Sequence, residues 1–188
     1  MRLFTAIDLP ESVVEPLAGL IARLRPLAEL AWTRAENLHV TTKFIGEWPE
    51  ERLEELKRAL ESVGSPGAIE GEIRGIGWFP NARNPRVLWA GVHAGAALAS
   101  LAHGTDAAVH AIGAAKEERE YTPHLTLARI RDRFSRDRAP GERVSLDKLR
   151  AAIGEIESAE FGSFRASAFY LYLSTAGRYT RLAEFALT

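Results

Sequence analysis

Two short runs in this chain carry residues suited to proton transfer at phosphorus: His39-Val-Thr41-Thr, within LHVTTKFIG, and His124-Leu-Thr126-Leu, within PHLTLARI. Imidazole is the side chain whose charge changes near neutral pH, so one histidine of a pair can start protonated as an acid and the other neutral as a base. A threonine hydroxyl can donate to nonbridging phosphate oxygens. Both runs are rich in β-branched and apolar residues and are bounded by turn signals, which predicts strands. On a strand, residues two apart leave the same face roughly 6.6 Å from one another, so each copy aims one imidazole and one hydroxyl at one surface. If the two strands are neighbours in the fold, they make a pocket of two imidazoles and two hydroxyls, the set that acid–base chemistry on a phosphate ester needs. One His-x-Thr alone arises often by chance, and a lone strand histidine is more often structural. Recurrence at equivalent places in a repeated layout carries the functional reading.

Other residues add to this set or compete with it. Arg129 follows Thr126 by three positions and offers a charge-assisted, bidentate phosphate contact. Strict alternation puts it on the face opposite His124, so it reaches the site only if the strand ends or bulges there; the alternative is an ordinary solvated strand-end arginine. Lys43 has the right parity, on the face of His39 and Thr41, and is a lesser phosphate candidate or the last solvated residue before Phe44 packs. His103, Asp106 and His110 share one helical face, opposite Leu98, Leu101, Val109 and Ile112, so a solvated face is expected there instead of a metal site. His93 ends a strand without an evident partner. From Arg129 to Arg150 eight basic residues stand against four acidic ones, which reads as a solvated loop or as a basic flap over an anionic substrate.

The elements that must position these residues follow from punctuation and periodicity. Strands are expected at 2–8, 38–46, 69–79, 86–93, 122–130, 164–174 and 179–187, and helices from 11 to about 30, at 49–63, 95–115 and 145–156. Pro26 is expected to end or kink the first helix. Strand, helix, His-x-Thr strand, helix, strand occurs twice, with the two motifs 85 residues apart. That order predicts a duplicated α+β fold of two pseudo-symmetric lobes, with motif strands central and helices outside. A chain of 188 residues suits one such domain over residues 1–188 with a shared cleft.

Bulk composition narrows the function classes. Twenty-four Lys and Arg against 25 Asp and Glu leave a net charge of −1, which argues against coating long nucleic acid by charge alone while leaving recognition of a few phosphates open. The absence of cysteine excludes disulfides and thiolate-bound metals. The start, MRLFTAIDLPE, reaches acidic residues too early for a signal peptide, and no apolar run has the length of a membrane span. A cytoplasmic monomer without a membrane partner, a metal or another cofactor is expected.

HVTTKFIG and HLTLAR resemble the paired signatures of the 2H phosphoesterases, and more closely the RNA 2′,3′-cyclic phosphodiesterase branch, also called 2′-5′ RNA ligase. MRLFTAIDLP, GIGWFPNARNPRVLWAGV, FGSFRASAFYLYLS and YTRLAEFAL are similar to that branch at corresponding points, so the resemblance covers nearly the whole chain. Thr42 departs from it, where leucine is usual, and points away from the expected site. The resemblance implies a bilobal α+β fold and metal-independent opening of a 2′,3′-cyclic phosphate to a 2′-phosphomonoester. It implies His39 as the acid that protonates the departing 3′ oxygen and His124 as the base that activates water. Thr41, Thr126 and Arg129 would hold the phosphate, and RNA ends or small cyclic-phosphate nucleotides would be the partners. Competing expectations are a phosphodiesterase of 2′-5′ oligonucleotides or small cyclic nucleotides, and an RNA-end binding module without catalysis.

Overall fold

A computed structural model describes residues 1–130 and 146–187 of the chain. In order it contains β1 (Arg2–Asp8), α1 (Glu11–Leu24), β2 (Ala31–Trp32), β3 (His39–Glu47), α2 (Leu53–Glu61), β4 (Ile69–Phe79), β5 (Val87–His93), α3 (Gly95–Ala111), β6 (His124–Arg129), α4 (Asp147–Gly154), β7 (Glu160–Ala166), β8 (Ala168–Thr175) and β9 (Arg178–Ala186), with short 3-10 turns between some of them. The strands make two antiparallel sheets, ordered β3-β1-β8-β9 and β2-β6-β5-β4-β7. The fold is α+β, and the unit strand, helix, His-x-Thr strand occurs once in each sheet, as β1-α1-β3 and β5-α3-β6.

Each connecting helix serves both halves. α1 lies between β1 and β3 of the first sheet, with the short β2 intervening before β3, yet packs against β7 of the second, while α3 joins β5 and β6 of the second sheet and packs against β3 of the first. The stripe Val13, Leu17, Leu20, Ile21 and Leu24 on α1 is buried, as are Leu98, Leu101 and Val109 on α3. At roughly 1.5–3 kcal/mol for each fully buried leucine or valine, these stripes weld the halves into one continuous hydrophobic cluster. A rigid shared core is what two motif strands from different sheets need if their side chains are to meet.

The observed elements correct the expected ones in places. α1 ends at Leu24, with a 3-10 turn at Arg25–Leu27 around Pro26. The single strand expected over 164–174 is two strands that break at Ser167, β7 in one sheet and β8 in the other. No glycine or proline marks that crossing, so alternation alone reads it as continuous. The motif strands are central to the molecule but not to their sheets: β3 is an edge strand, and only the two-residue β2 lies outside β6. The two edges approach one another, with β3 packed against β6. Of the basic 129–150 stretch, residues 131–145 lie outside the described residues.

Candidate active site

The two motif strands share one local device. In β3 the register with β1 slips so that Ala6 faces Thr41 and Thr5 faces Lys43, leaving Thr42 as an extra residue; in β6 the register with β5 slips so that Trp89 faces Thr126 and Leu88 faces Ala128, leaving Leu127 extra. Each is a β-bulge, and a bulge reverses the parity of everything after it. The six residues from His39 and the six from His124 consequently have the same burial sequence, with positions one and three half-buried, two, four and five buried, and six exposed. Arg129 is the sixth residue of its copy, so the bulge returns it to the face of His124 and Thr126.

Lys43 is carried the other way, and here the expectation from strict alternation fails. Its side chain is 5% exposed and lies behind the sheet, where Nζ donates to Ala115 O at 2.8 Å and forms an ion pair with Asp106 of α3. Lys43 is therefore a cross-link between β3 and α3 and not a phosphate ligand. Asp106 in turn is not on a freely solvated face, since it also accepts the Glu117 backbone N–H at 3.0 Å. Burial opposes its charge, but the Lys43 and Glu117 bonds outweigh that and hold its carboxyl below the ordinary range. His103 and His110 are exposed, as expected.

The imidazoles are oriented by the same bond in both copies. His39 Nδ1 donates to Asn37 O at 2.7 Å, and His124 Nδ1 donates to Thr122 O at 2.8 Å. A carbonyl can only accept, so Nδ1 carries the hydrogen and Nε2 is the nitrogen that gains or loses a proton. His39 Nε2 lies 3.0 Å from Thr41 Oγ1, within its own motif. Tyr121 Oη donates to Thr41 O at 2.9 Å, and Thr33 Oγ1 donates to Thr126 O at 2.8 Å. The first of these ties the segment entering β6 to β3. Burial pushes the Tyr121 hydroxyl well above its usual range, so it remains a donor.

Both histidines are held below their ordinary value, chiefly by burial, with their backbone carbonyl partners pulling the other way. The Arg129 guanidinium depresses both, and His124 also depresses His39. One cation acting on two imidazoles is what a shared site produces. The surroundings of the two differ, however. Across the strand pair from His39 stands Asp8, whose carboxylate raises His39; across from His124 stands Gly91. Asp8 is fixed by Tyr172, whose hydroxyl donates to Oδ1 at 2.6 Å, and by an ion pair with Arg181.

Aromatic rings complete both walls. The Phe4 ring lies 4.9 Å from that of His39, and Phe79 meets His124 edge-on at 5.0 Å. Trp89, paired with Thr126, packs its indole against Gly77, where a β-carbon would sit 2.2 Å from the ring. The two motif strands carry the two histidines, the two threonines and Arg129 that the sequence singles out, and the structure adds Asp8, Tyr121 and these rings, which are not named from the sequence. The partner of Asp8 follows only from strand register, and the Tyr121 bond spans 80 residues.

Comparison with known proteins agrees with this architecture. A family model described as LigT like Phosphoesterase matches residues 7–89. An RNA 2′,3′-cyclic phosphodiesterase of Methanocaldococcus jannaschii is 34% identical over 175 residues, 93% of this chain and 92% of that protein. One of Methanothermobacter thermautotrophicus is 33% identical, covering 89% and 86%. Among solved structures, TT0787 of Thermus thermophilus superposes with a TM-score of 0.75 at 30% identity, covering 100% of this chain and 98% of that one. E. coli LigT complexed with 3′-AMP gives a TM-score of 0.74 at 26% identity, with the same coverage. Sequence, fold and paired motifs together make this chain a member of the LigT-like 2H phosphoesterase family, an enzyme of phosphoester chemistry.

Proposed function

We propose that this enzyme hydrolyses RNA 2′,3′-cyclic phosphate ends to 2′-phosphomonoesters, with His39 as general acid and His124 as general base. The observation that carries the reading is the duplicated histidine geometry: each Nδ1–H is committed to a backbone carbonyl, so each Nε2 is reserved for a proton in transit. Water attacks phosphorus while His124 Nε2 takes its proton. The bond from phosphorus to the 3′ oxygen breaks, and His39 Nε2–H protonates that oxygen, leaving the phosphate on the 2′ oxygen. Acid and base on two facing edges suit the in-line arrangement of entering and leaving oxygens. Thr41, Thr126 and Arg129 hold the nonbridging oxygens.

The two imidazoles differ in their neighbours, although burial and the Arg129 and His124 charges oppose the protonated form of His39. Asp8 favours the protonated imidazole at His39, whereas Gly91 across from His124 offers no charge. The names of the M. jannaschii and M. thermautotrophicus relatives support a cyclic phosphate as substrate, and the 3′-AMP complex of E. coli LigT supports a nucleotide-sized site. A 2′,3′-cyclic phosphate forms only from a ribose with a 2′-hydroxyl, so DNA ends do not qualify. A 5′-hydroxyl end in place of water gives a 2′-5′ linkage by the same steps, and in dilute solution water prevails.

The pH profile tests the requirement for one acidic and one basic imidazole. With one imidazole protonated and the other neutral, kcat/KM is bell-shaped, and its two apparent pKa values belong to the pair. Burial and the Arg129 charge both disfavour imidazolium, which moves both limbs down from the ordinary 6.5. The expected apex therefore lies on the acid side of 6.5. A rate that rises monotonically through the neutral range would leave a single base and no histidine acid.

A further inference from the structure

The backbones of the two motif threonines are held in a reciprocal way. Thr41 O accepts the Tyr121 hydroxyl at 2.9 Å, and Thr126 O accepts the Thr33 hydroxyl at 2.8 Å. Each donor stands in the segment that leads into the other motif, Tyr121 just before His124 and Thr33 in the stretch before His39. The same two segments orient the imidazoles, since Thr122 O accepts from His124 Nδ1 and Asn37 O from His39 Nδ1. A short path therefore runs from the backbone of one motif to the imidazole of the other, once in each direction. Thr33 is held doubly, because its backbone N–H also donates at 2.9 Å to the carbonyl of Leu127, the bulge residue.

From this reciprocal arrangement we propose that Tyr121 and Thr33 are positioning residues for the reaction, their hydroxyls fixing the gap between the two motifs in which the phosphate is held in line. The proposal rests on the phosphodiesterase reading of the site and adds what sets the distance between its acid and its base. β3 and β6 belong to different sheets, and no strand ladder joins them among the described residues. The apolar core beneath them attracts without direction, so it brings the two edges together without defining their offset. Hydrogen bonds define it, because they weaken steeply outside a narrow range of length and angle. A motif strand that slips carries its imidazole and its threonine hydroxyl together relative to the other motif, while the bonds within each motif survive. In-line displacement is sensitive to such an offset, and a misplacement of about 1 Å costs up to roughly 100-fold in rate.

Steady-state hydrolysis of an RNA ending in 2′,3′-cyclic phosphate, with melting followed by circular dichroism, tests this role. Tyr121→Phe and Thr33→Val each delete one hydroxyl and keep the shape of the side chain. At a temperature where the variant is folded, each is expected to lower kcat by roughly 10- to 100-fold with KM within about twofold of wild type. Both limbs of the pH profile stay in place, because no charge has changed. Thr33→Ser, which keeps a hydroxyl, should recover most of the rate that Thr33→Val loses. A bond that only stabilises the fold would lower Tm and leave kcat alone, and that outcome in either folded variant would overturn the proposal. A loss confined to KM, or a Thr33→Ser enzyme as slow as Thr33→Val, would do the same. Should Tyr121→Phe not fold, the Thr33 pair decides alone. A wild-type enzyme that leaves the cyclic end intact defeats the phosphodiesterase reading as well, whereas hydrolysis by wild type with unchanged kcat in a folded variant defeats this proposal only.

Discussion

Alanine in place of either His39 or His124 is expected to lower turnover on an RNA ending in 2′,3′-cyclic phosphate by on the order of 10² to 10⁴. In the proposed mechanism each imidazole moves a proton in the same displacement, so acid and base act as a unit and the double variant should fall little further than the worse single one. Neither substitution should unfold the protein. His39 and His124 are half-buried at the cleft, and the core beneath them is made by Val40, Leu125 and Leu127. Single-turnover rates, with circular dichroism to confirm the fold, measure the effect. Near-normal hydrolysis by either folded variant would exclude a two-histidine mechanism.

Arg129→Ala has the next largest expected effect, a loss of roughly 10² to 10³ in turnover from removing one preorganised donor to the phosphate. Its consequence for pH differs from that of a lost imidazole. The Arg129 charge holds both histidines down, so its removal makes imidazolium less costly and both limbs of the bell move to higher pH with the shape retained. Arg129→Lys should recover only part of the rate, since an ammonium keeps the charge but not the bidentate fork. Unchanged kcat/KM in Arg129→Ala would mean that the side chain does not reach the substrate.

Much of this site is legible in the sequence, and what is not has a common cause. His39, Thr41, His124 and Thr126 can be found because they recur at fixed spacing on strands. The duplicated order of strand and helix likewise predicts the α+β lobes. Parity then misleads at two equivalent places. Alternation puts Lys43 in the site and Arg129 behind it, and the bulges at Thr42 and Leu127 reverse both. Neither bulge carries a glycine, the usual sequence mark of an irregular strand. Tertiary pairing is equally silent. The Lys43–Asp106 and Asp8–Arg181 ion pairs join elements far apart in the chain, and the sequence around Ser167 does not announce a change of sheet.

If two histidines open a cyclic phosphate by expelling the 3′ oxygen, the position of the phosphate in the product reveals it. Purified enzyme is given an RNA with a 2′,3′-cyclic phosphate end, and the terminal phosphate is located by its response to enzymes specific for 2′- or 3′-phosphates. The expected result is a 2′-phosphomonoester as the sole product from wild type, and intact cyclic phosphate from His39→Ala and His124→Ala at the same time point. A 3′-phosphate product, or a cyclic end left untouched by the wild-type enzyme, would contradict it.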